Sequence, residues 1–289
     1  MPIFAGTIKK MRRRYILSIA AVLLAVGTLI GFATCNGKGS GEESGIDSTV
    51  IPKTTPSINY QVLAQHPHDT SAFTQGLQLY NGKLYEGTGD YENSSLRITD
   101  LKTGKVEHKH MMGTSEVFGE GINIFKGKLY QLTWKSHVVY VYDVNNIDKP
   151  ISTFNWPNEG WGITNNGTDL IISDGSANLY FVNPDDFKVK TILAVKEDAG
   201  PVSNLNELEY IDGYVYANVW ESDFIVKIDP SSGNVVGRIN LPGLPNQFFK
   251  DKIVPERTDV LNGIAYDSTS KTMYITGKRW PMLFELKMN

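Results

Sequence analysis

The chain has 289 residues, 41% of them hydrophobic and 20% charged, with a formal net charge of −3. This composition excludes a disordered chain, and its interspersed acids and bases leave no basic stripe for nucleic acid, so no nucleic-acid partner is expected. Its 14 Tyr, 5 Trp and 27 Gly favour many short strands joined by tight turns.

Lys9, Lys10, Arg12, Arg13 and Arg14 precede an uncharged apolar run from Tyr15 to Ala33. A basic stretch followed by an apolar one reads as an export signal or a membrane anchor. Cys35 comes next and is the chain's one cysteine, so no intrachain disulfide is expected. Phe32-Ala33-Thr34-Cys35 resembles a bacterial lipoprotein cleavage box, with Phe and Thr departing from the usual residues. Residues 1–35 are therefore expected to be a signal, with Cys35 carrying a lipid anchor. The protein is expected to be exported, in the bacterial periplasm or held on a membrane as a lipoprotein. Residues 36–58, rich in Gly, Ser, Thr, Glu and Pro, read as a flexible tether. The folded domain is expected over 59–289.

Within that domain one pattern recurs: a glycine, an apolar strand, a turn and a second strand. It begins near Gly76, Gly121, Gly162, Leu208 and Gly263. Asn81-Gly82, Lys126-Gly127, Asn166-Gly167 and Asp212-Gly213 supply two-residue hairpin turns, and Asp267 to Lys271 a longer one. Third strands follow over Leu96–Leu101, Val138–Val144, Leu179–Asn183, Ile225–Asp229 and Leu283–Leu286. Fourth strands follow over Lys105–His110, Ile151–Asn155, Val189–Val195 and Val235–Leu241. Four strands every 40 to 55 residues or so are the mark of propeller blades. The prediction is an all-β, five-bladed β-propeller. Tyr60–Gln65 is the strand left over to complete the last blade, so an N-terminal strand closes the ring and removes two exposed edges.

Residues just before each innermost strand converge on a mouth of such a ring: Phe73 and Gln75, Phe118 and Glu120, Glu159 and Trp161, Asn206 and Glu207, and Asn262. Residues closing the second strands also reach a mouth: Glu86, Trp134, Asp174, Trp220 and Lys278. The set joins tryptophans, acids, a lysine and amides, which suits a binding or catalytic pocket.

Several blocks resemble the plant- and bacterial-type glutaminyl-peptide cyclotransferases. They are Phe73-Thr-Gln-Gly-Leu77, Phe118-Gly-Glu-Gly-Ile122, Leu132-Thr-Trp134, Glu159-Gly-Trp-Gly162, Asn206-Glu-Leu-Glu-Tyr210, Ala217-Asn-Val-Trp220, Leu261-Asn-Gly-Ile264 and Thr276-Gly-Lys-Arg-Trp280. They run from about Tyr60 to the C-terminus. The resemblance implies a five-bladed propeller that converts N-terminal glutamine of peptides or proteins to pyroglutamate with release of ammonia. It implies Glu120 as the catalytic acid and places Lys278 and Asn206 in the same pocket; the reaction's chemistry then expects Glu120 to act as general acid and base, with Lys278 and Asn206 also catalytic. Phe73, Gln75, Phe118, Trp134, Trp161 and Trp220 would bind the substrate.

A carboxyl among tryptophans is expected to have a raised pKa through desolvation. No cofactor is expected. His66-x-His68 and His108-x-His110 lack further ligands for zinc, so no catalytic metal is expected, while a structural calcium in the central channel is left open. A monomer acting on Gln-initiated peptides is expected. The alternatives are a non-catalytic peptide-binding propeller and a metal-dependent propeller lactonase, in which Glu120, Asn206 and Asn262 would be ligands.

Overall fold

Tight turns set the folding unit. Asn81-Gly82, Lys126-Gly127 and Asp212-Gly213 take positive φ at both residues, the turn whose twist matches the flanking strands. Asn166-Gly167 departs from the prediction. Only Gly167 is in the left-handed region, and Asn166 Oδ1 instead accepts the N–H groups of Thr168 and Asp169 in a longer loop.

In the computed structural model, which describes residues 54–254 and 257–289, β1 (Tyr60–Pro67) precedes blade 1: β2 (Thr74–Tyr80), β3 (Lys83–Thr88), β4 (Ser95–Thr99) and β5 (Val106–Met111). Blade 2 holds β6 (Gly119–Phe125), β7 (Lys128–Thr133), β8 (Val138–Asp143) and β9 (Ser152–Asn155). Blade 3 holds β10 (Ile163–Asn165), β11 (Leu170–Ser173), β12 (Asn178–Val182) and β13 (Val189–Ala194). A short ladder of β14 (Lys196–Glu197) with β15 (Gly200–Pro201) leads to blade 4: β16 (Leu205–Ile211), β17 (Tyr214–Val219), β18 (Phe224–Ile228) and β19 (Val235–Asn240). Helix α1 (Leu244–Phe248) and a 3-10 turn (Lys250–Lys252) lengthen the last connection. They account for the wider spacing of the fifth repeat. Blade 5 then has β20 (Leu261–Asp267), β21 (Thr272–Gly277) and β22 (Met282–Met288). The signal, Cys35 and most of the tether lie outside the described residues.

Each blade is a four-stranded antiparallel sheet, and the fifth has the order β1-β22-β21-β20. Tyr60 faces Met288 and Pro67 faces Met282, so the N-terminal strand closes the ring as predicted. Pro56 and Ile58 also hydrogen-bond to Arg238 at the edge of blade 4, upstream of that strand.

Both faces of every blade are covered by neighbours, so β3 and β7 are buried almost along their length. Five apolar clusters fill the five junctions. Leu77, Leu84, Ala265 and Leu283 join blades 1 and 5, while Leu96, Ile122 and Leu129 join 1 and 2. Leu132, Val139, Ile163 and Leu170 join 2 and 3; Ile171, Leu179, Leu205 and Val226 join 3 and 4; Ile225, Ile239, Leu261 and Ile275 join 4 and 5. Each such side chain contributes about 1.5–3 kcal/mol when fully buried.

Near the axis the innermost strands approach backbone to backbone. A Cβ on Gly121 would meet Trp161 O at 2.6 Å and Gly162 Cα at 2.9 Å. The Gly121 N–H donates to Trp161 O at 2.8 Å, bonding blade 2 to blade 3. The register places Glu207, not Leu208, at the glycine position of the fourth repeat: Leu208 faces Ala217 as Leu77 faces Glu86 and Ile122 faces Gln131. Its carboxyl group crosses the channel, and burial, with the charge of Glu209, pushes its pKa well above the ordinary range. Oε1 accepts Leu77 N–H at 3.2 Å and Oε2 accepts Ile264 N–H at 2.8 Å. Glu207 thereby satisfies inner-edge amides of blades 1 and 5 that no strand pairs.

Candidate active site

Irregularity in the innermost strands builds the site. Pairing shifts between Thr74 and Gly76, Gly119 and Ile122, Leu205 and Leu208, and Leu261 and Ile264. Such bulges re-aim a side chain locally. The shifted stretches hold Gln75, Glu120, Asn206 and Asn262, one from each of four blades. Trp161 stands at the corresponding place in blade 3, just ahead of β10. Antiparallel pairing brings the ends of the second strands to the same mouth. Trp134 N–H donates to Phe118 O, Trp220 N–H to Asn204 O, and Lys278 N–H to Val260 O.

The result is a cup with half-buried aromatic walls and a buried polar floor. Phe118 is the hinge of one wall. It meets Phe73 edge-on at 6.0 Å, Tyr91 at 5.3 Å and Trp134 at 5.7 Å between ring centroids. Trp161 and Trp220 form the other wall, edge to face at 5.7 Å. Trp161 lies so close over Gly175 that a Cβ there would be 2.5 Å from the indole, and Gly175 also takes φ 79°. A side chain at 175 would displace the ring.

The floor carries Gln75, Glu120, Asn206 and Lys278, each buried. Gln75 Nε2 donates to Glu120 Oε1 at 3.1 Å. Gln75 is itself oriented, because Asn262 Nδ2 donates to its Oε1 at 3.2 Å and to Thr74 O at 3.0 Å. This relay leaves the other oxygen of Glu120 for a ligand. Burial pushes the Glu120 carboxyl well above the ordinary carboxylate range, against the pull of Lys278 and with a further push from Glu159. Burial likewise pulls Lys278 below the ordinary lysine value, against the charges of Glu120 and Asp259. Lys278 Nζ lies 4.8 Å from the Phe73 ring centre. Among the described residues Asn206 Oδ1 and Asn262 Oδ1 are buried without a hydrogen-bond partner, two unused acceptors on and beside the floor.

The indole N–H groups do not engage Glu120. Trp134 Nε1 donates to Glu159 Oε2 at 2.7 Å and Trp161 Nε1 to the same oxygen at 3.1 Å. Glu159 clips the two walls together. Burial would raise its pKa, but the two indole donors and Lys135 outweigh that and hold it below the ordinary range. Lys135 Nζ also stands 3.9 Å over the Trp134 ring. The sequence places Glu159 at the mouth but does not carry the ring orientations that give it this role. Its neighbours in the Glu159-Gly-Trp161 block were the available signal.

Two other mouth candidates point elsewhere. Glu86 accepts from His68 Nε2 at 3.0 Å and Thr74 Oγ1 at 2.7 Å. His68 Nδ1 faces Trp280 O of blade 5 at 2.7 Å, so this buried cluster ties the ring closure to blade 1. Asp174 accepts from Tyr180 and Ser176. Trp280 packs in the blade 4/5 core. Among the described residues no three His, Cys, Asp or Glu side chains are grouped to hold a metal ion. In the channel both oxygens of Glu207 are engaged by backbone N–H groups.

A profile of the family described as glutamine cyclotransferase matches residues 32–288. A glutaminyl-peptide cyclotransferase of Arabidopsis thaliana is 38% identical over 280 residues, spanning 96% of this chain and 84% of the relative. The crystal structure of Myxococcus xanthus glutaminyl cyclase aligns with a TM-score of 0.75 at 32% identity, covering 82% of this chain and 99% of that one. The family match begins upstream of Tyr60, where the recognisable sequence blocks had begun.

Proposed function

The chain belongs to the glutamine cyclotransferase family, and on that premise we propose that it cyclises N-terminal glutamine of peptides with release of ammonia, Glu120 moving the protons. The observation that carries the reading is the buried Glu120 carboxyl, held by Gln75 at 3.1 Å beneath the aromatic walls, where burial pushes its pKa well above the ordinary carboxylate range.

The substrate α-amine attacks the carbon of its own side-chain carboxamide. A C–N bond forms, the C–NH2 bond breaks, and a five-membered lactam and ammonia result. Both reactants sit in one residue, so fixing the rotamer is a large part of catalysis; well-aligned tethered groups gain up to about 7–11 kcal/mol. The aromatic walls supply that confinement. They also favour the neutral amine, whose ordinary pKa is about 7.7–8.0. Glu120 gives its proton to the leaving nitrogen and takes the one shed by the attacking amine, so the carboxyl is regenerated each turnover. Negative charge on the carbonyl oxygen is stabilised by Lys278, with Asn206 hydrogen-bonding the substrate amide.

The test is ammonia release from a Gln-initiated peptide, with and without chelator. Ammonia that persists in chelator supports the reading. No ammonia refutes the activity, and ammonia abolished by chelator refutes a mechanism carried by Glu120 alone.

Export and anchoring at Cys35, with action as a monomer on the membrane surface or in the periplasm, remain part of the same proposal. They rest on the basic and apolar N-terminal runs. Replacing Cys35 with Ser should move the protein from the membrane to the soluble fraction.

A further inference from the structure

Two depressions adjoin beside the aromatic cup. The larger, about 310 Å³, is bordered by Arg97, Lys109, Arg257 and Arg279, with Asp90 the one acid among its described lining residues. The smaller, about 110 Å³, shares Arg257 and Arg279 and adds Lys252. The whole chain carries a net charge of −3, whereas the described lining of these depressions holds five cations and Asp90, with Asp69 paired to Arg97 behind them, so the local charge is positive.

Two of these cations are fixed in place. The Arg97 side chain is 1% exposed, donating from Nη1 to Asp69 at 2.8 Å and from Nε to Ser95 at 2.9 Å. Arg279 donates to Asp90 at 3.2 Å. Lys109 is exposed. Partial burial and the neighbouring Arg97 pull its pKa below the ordinary value, despite Asp69 and Glu86, and an incoming anion would relieve that repulsion.

The groove is joined to the cup through Phe73. The Arg279 guanidinium lies 5.1 Å from the Phe73 ring centre, and Lys278 Nζ lies 4.8 Å from the same ring. Arg279 has φ 61°, a left-handed turn that splits two consecutive cations. Lys278 serves the buried floor, and Arg279 lines the groove.

We infer that this groove is the subsite for the residues following the N-terminal glutamine, and that it selects peptides with Asp or Glu there. The inference rests on the function proposed above, which seats the glutamine in the cup. An extended chain advances about 3.3–3.6 Å per residue. Positions about two to four after the glutamine therefore pass Phe73 and Arg279 and come within reach of Arg257 and Lys109. Guanidinium groups suit carboxylates because they bind them through two parallel N–H donors.

The test compares Gln-Ala-Glu-Glu-Ala amide, Gln-Ala-Lys-Lys-Ala amide and the dipeptide Gln-Ala amide, using the full chain. The acidic peptide should show a kcat/KM about 5- to 30-fold above the lysine peptide, as one or two partly exposed ion pairs allow. That ratio should collapse toward one in high salt. In a Lys109→Glu/Arg257→Glu variant the preference should vanish or reverse, while turnover of Gln-Ala amide stays unchanged. Equal kcat/KM for the two charged peptides, or a preference that survives the double variant or high salt, overturns the inference. If the variant fails to fold, the salt dependence of the unmodified protein decides. If Gln-Ala amide yields no ammonia, the proposed reaction fails instead. Equilibrium binding of the two charged peptides, followed by tryptophan fluorescence, then decides the groove separately: tighter, salt-sensitive binding of the acidic peptide supports it, and equal binding overturns it.

Discussion

Replacing Glu120 with Gln removes the transferable proton and leaves the shape. Gln75 Nε2 can still donate to the amide oxygen at position 120, so the relay from Asn262 through Gln75 survives. A positioned acid and base contributes about 10²–10⁴ in rate, which corresponds to about 2.7–5.4 kcal/mol in the barrier. The expected result is that loss in kcat, with KM changed by less than about threefold. Stability should move the other way. Burial raises the native pKa of Glu120 above its ordinary 4.5, so the native state holds the proton more tightly than the unfolded chain. The carboxyl's cost to the fold therefore grows as pH rises from about 4.5 toward the native value. The Gln variant is spared that cost, so its melting temperature should equal the parent's at low pH and exceed it as pH rises. In the parent, kcat should fall as pH rises through the Glu120 transition, and that limb should be absent from the variant's residual rate. The assay is ammonia release across pH, beside thermal melts in the same buffers. A variant that keeps kcat within about threefold refutes the proton-shuttle role. A variant that loses activity and melts well below the parent at every pH shows that Glu120 is structural.

Three further outcomes follow from the same geometry. Glu159→Ala leaves two indole N–H groups without their shared acceptor, so KM should rise about 5- to 10-fold with a smaller change in kcat; a kcat loss as large as that of the Glu120 variant would make Glu159 a catalytic residue instead. Glu86→Gln breaks a buried pair and should cost about 3 kcal/mol, or about 6–12 °C in melting temperature. Burial lowers the His68 pKa, but Glu86 and the Trp280 carbonyl outweigh it, so the His68 share of stability is complete below 6.5 and is lost as pH rises through its raised native value. Burial raises Glu86, but His68, Arg97 and Thr74 outweigh it, so its share is complete above 4.5 and is lost as pH falls through its lowered native value. The deficit of the Gln variant should thus be largest between about pH 4.5 and 6.5, and a deficit independent of pH would refute the ion-pair account. Gly121→Ala drives a methyl against Trp161 O and Gly162 Cα, neither of which is a flexible side-chain end, so a loss of about 1–3 kcal/mol is expected by denaturant titration; an unchanged midpoint would show that the inner strands can separate freely.

The blades were legible because their information is local. Each hairpin is encoded by a turn pair and two flanking apolar runs, and the strand ends observed lie within a residue or two of those read from Tyr60 onward. The exception is instructive. Asn166-Gly167 carries the same letters as Asn81-Gly82, but β10 and β11 are short, and the Asn166 side chain caps the loop instead. Glu207 stands where the other four copies have Gly76, Gly121, Gly162 and Gly263, and a glutamate there hides the phase that glycine marks in the sequence. The partners of the tryptophan N–H groups were beyond reach for a different reason. Glu120 and Glu159 both border the cup, and only ring orientation decides which of them the indoles meet.

The radius at which a residue sits explains what the sequence could reveal about it. Gln75, Glu120, Asn206 and Asn262 come from innermost strands packed backbone to backbone, where a single methyl on Gly121 or Gly162 would press on neighbouring backbone. Such positions recur in phase with the blades, so aligning the repeats collects them. The cations of the groove come from other places: Arg97 and Lys109 from outer strands β4 and β5, Arg257 from the β19–β20 connection, and Arg279 from the turn between β21 and β22. They share no phase, and no repeat alignment gathers them. The same difference separates their chemistry. Floor residues are held by the ring itself, so altering one disturbs its neighbours' hydrogen bonds. Lys109, exposed on an outer strand, and Arg257, on a connection, can change charge without moving the floor. Reaction and peptide preference should therefore separate cleanly under mutation, with turnover of the shortest substrate blind to Lys109 and Arg257 and dependent on Glu120.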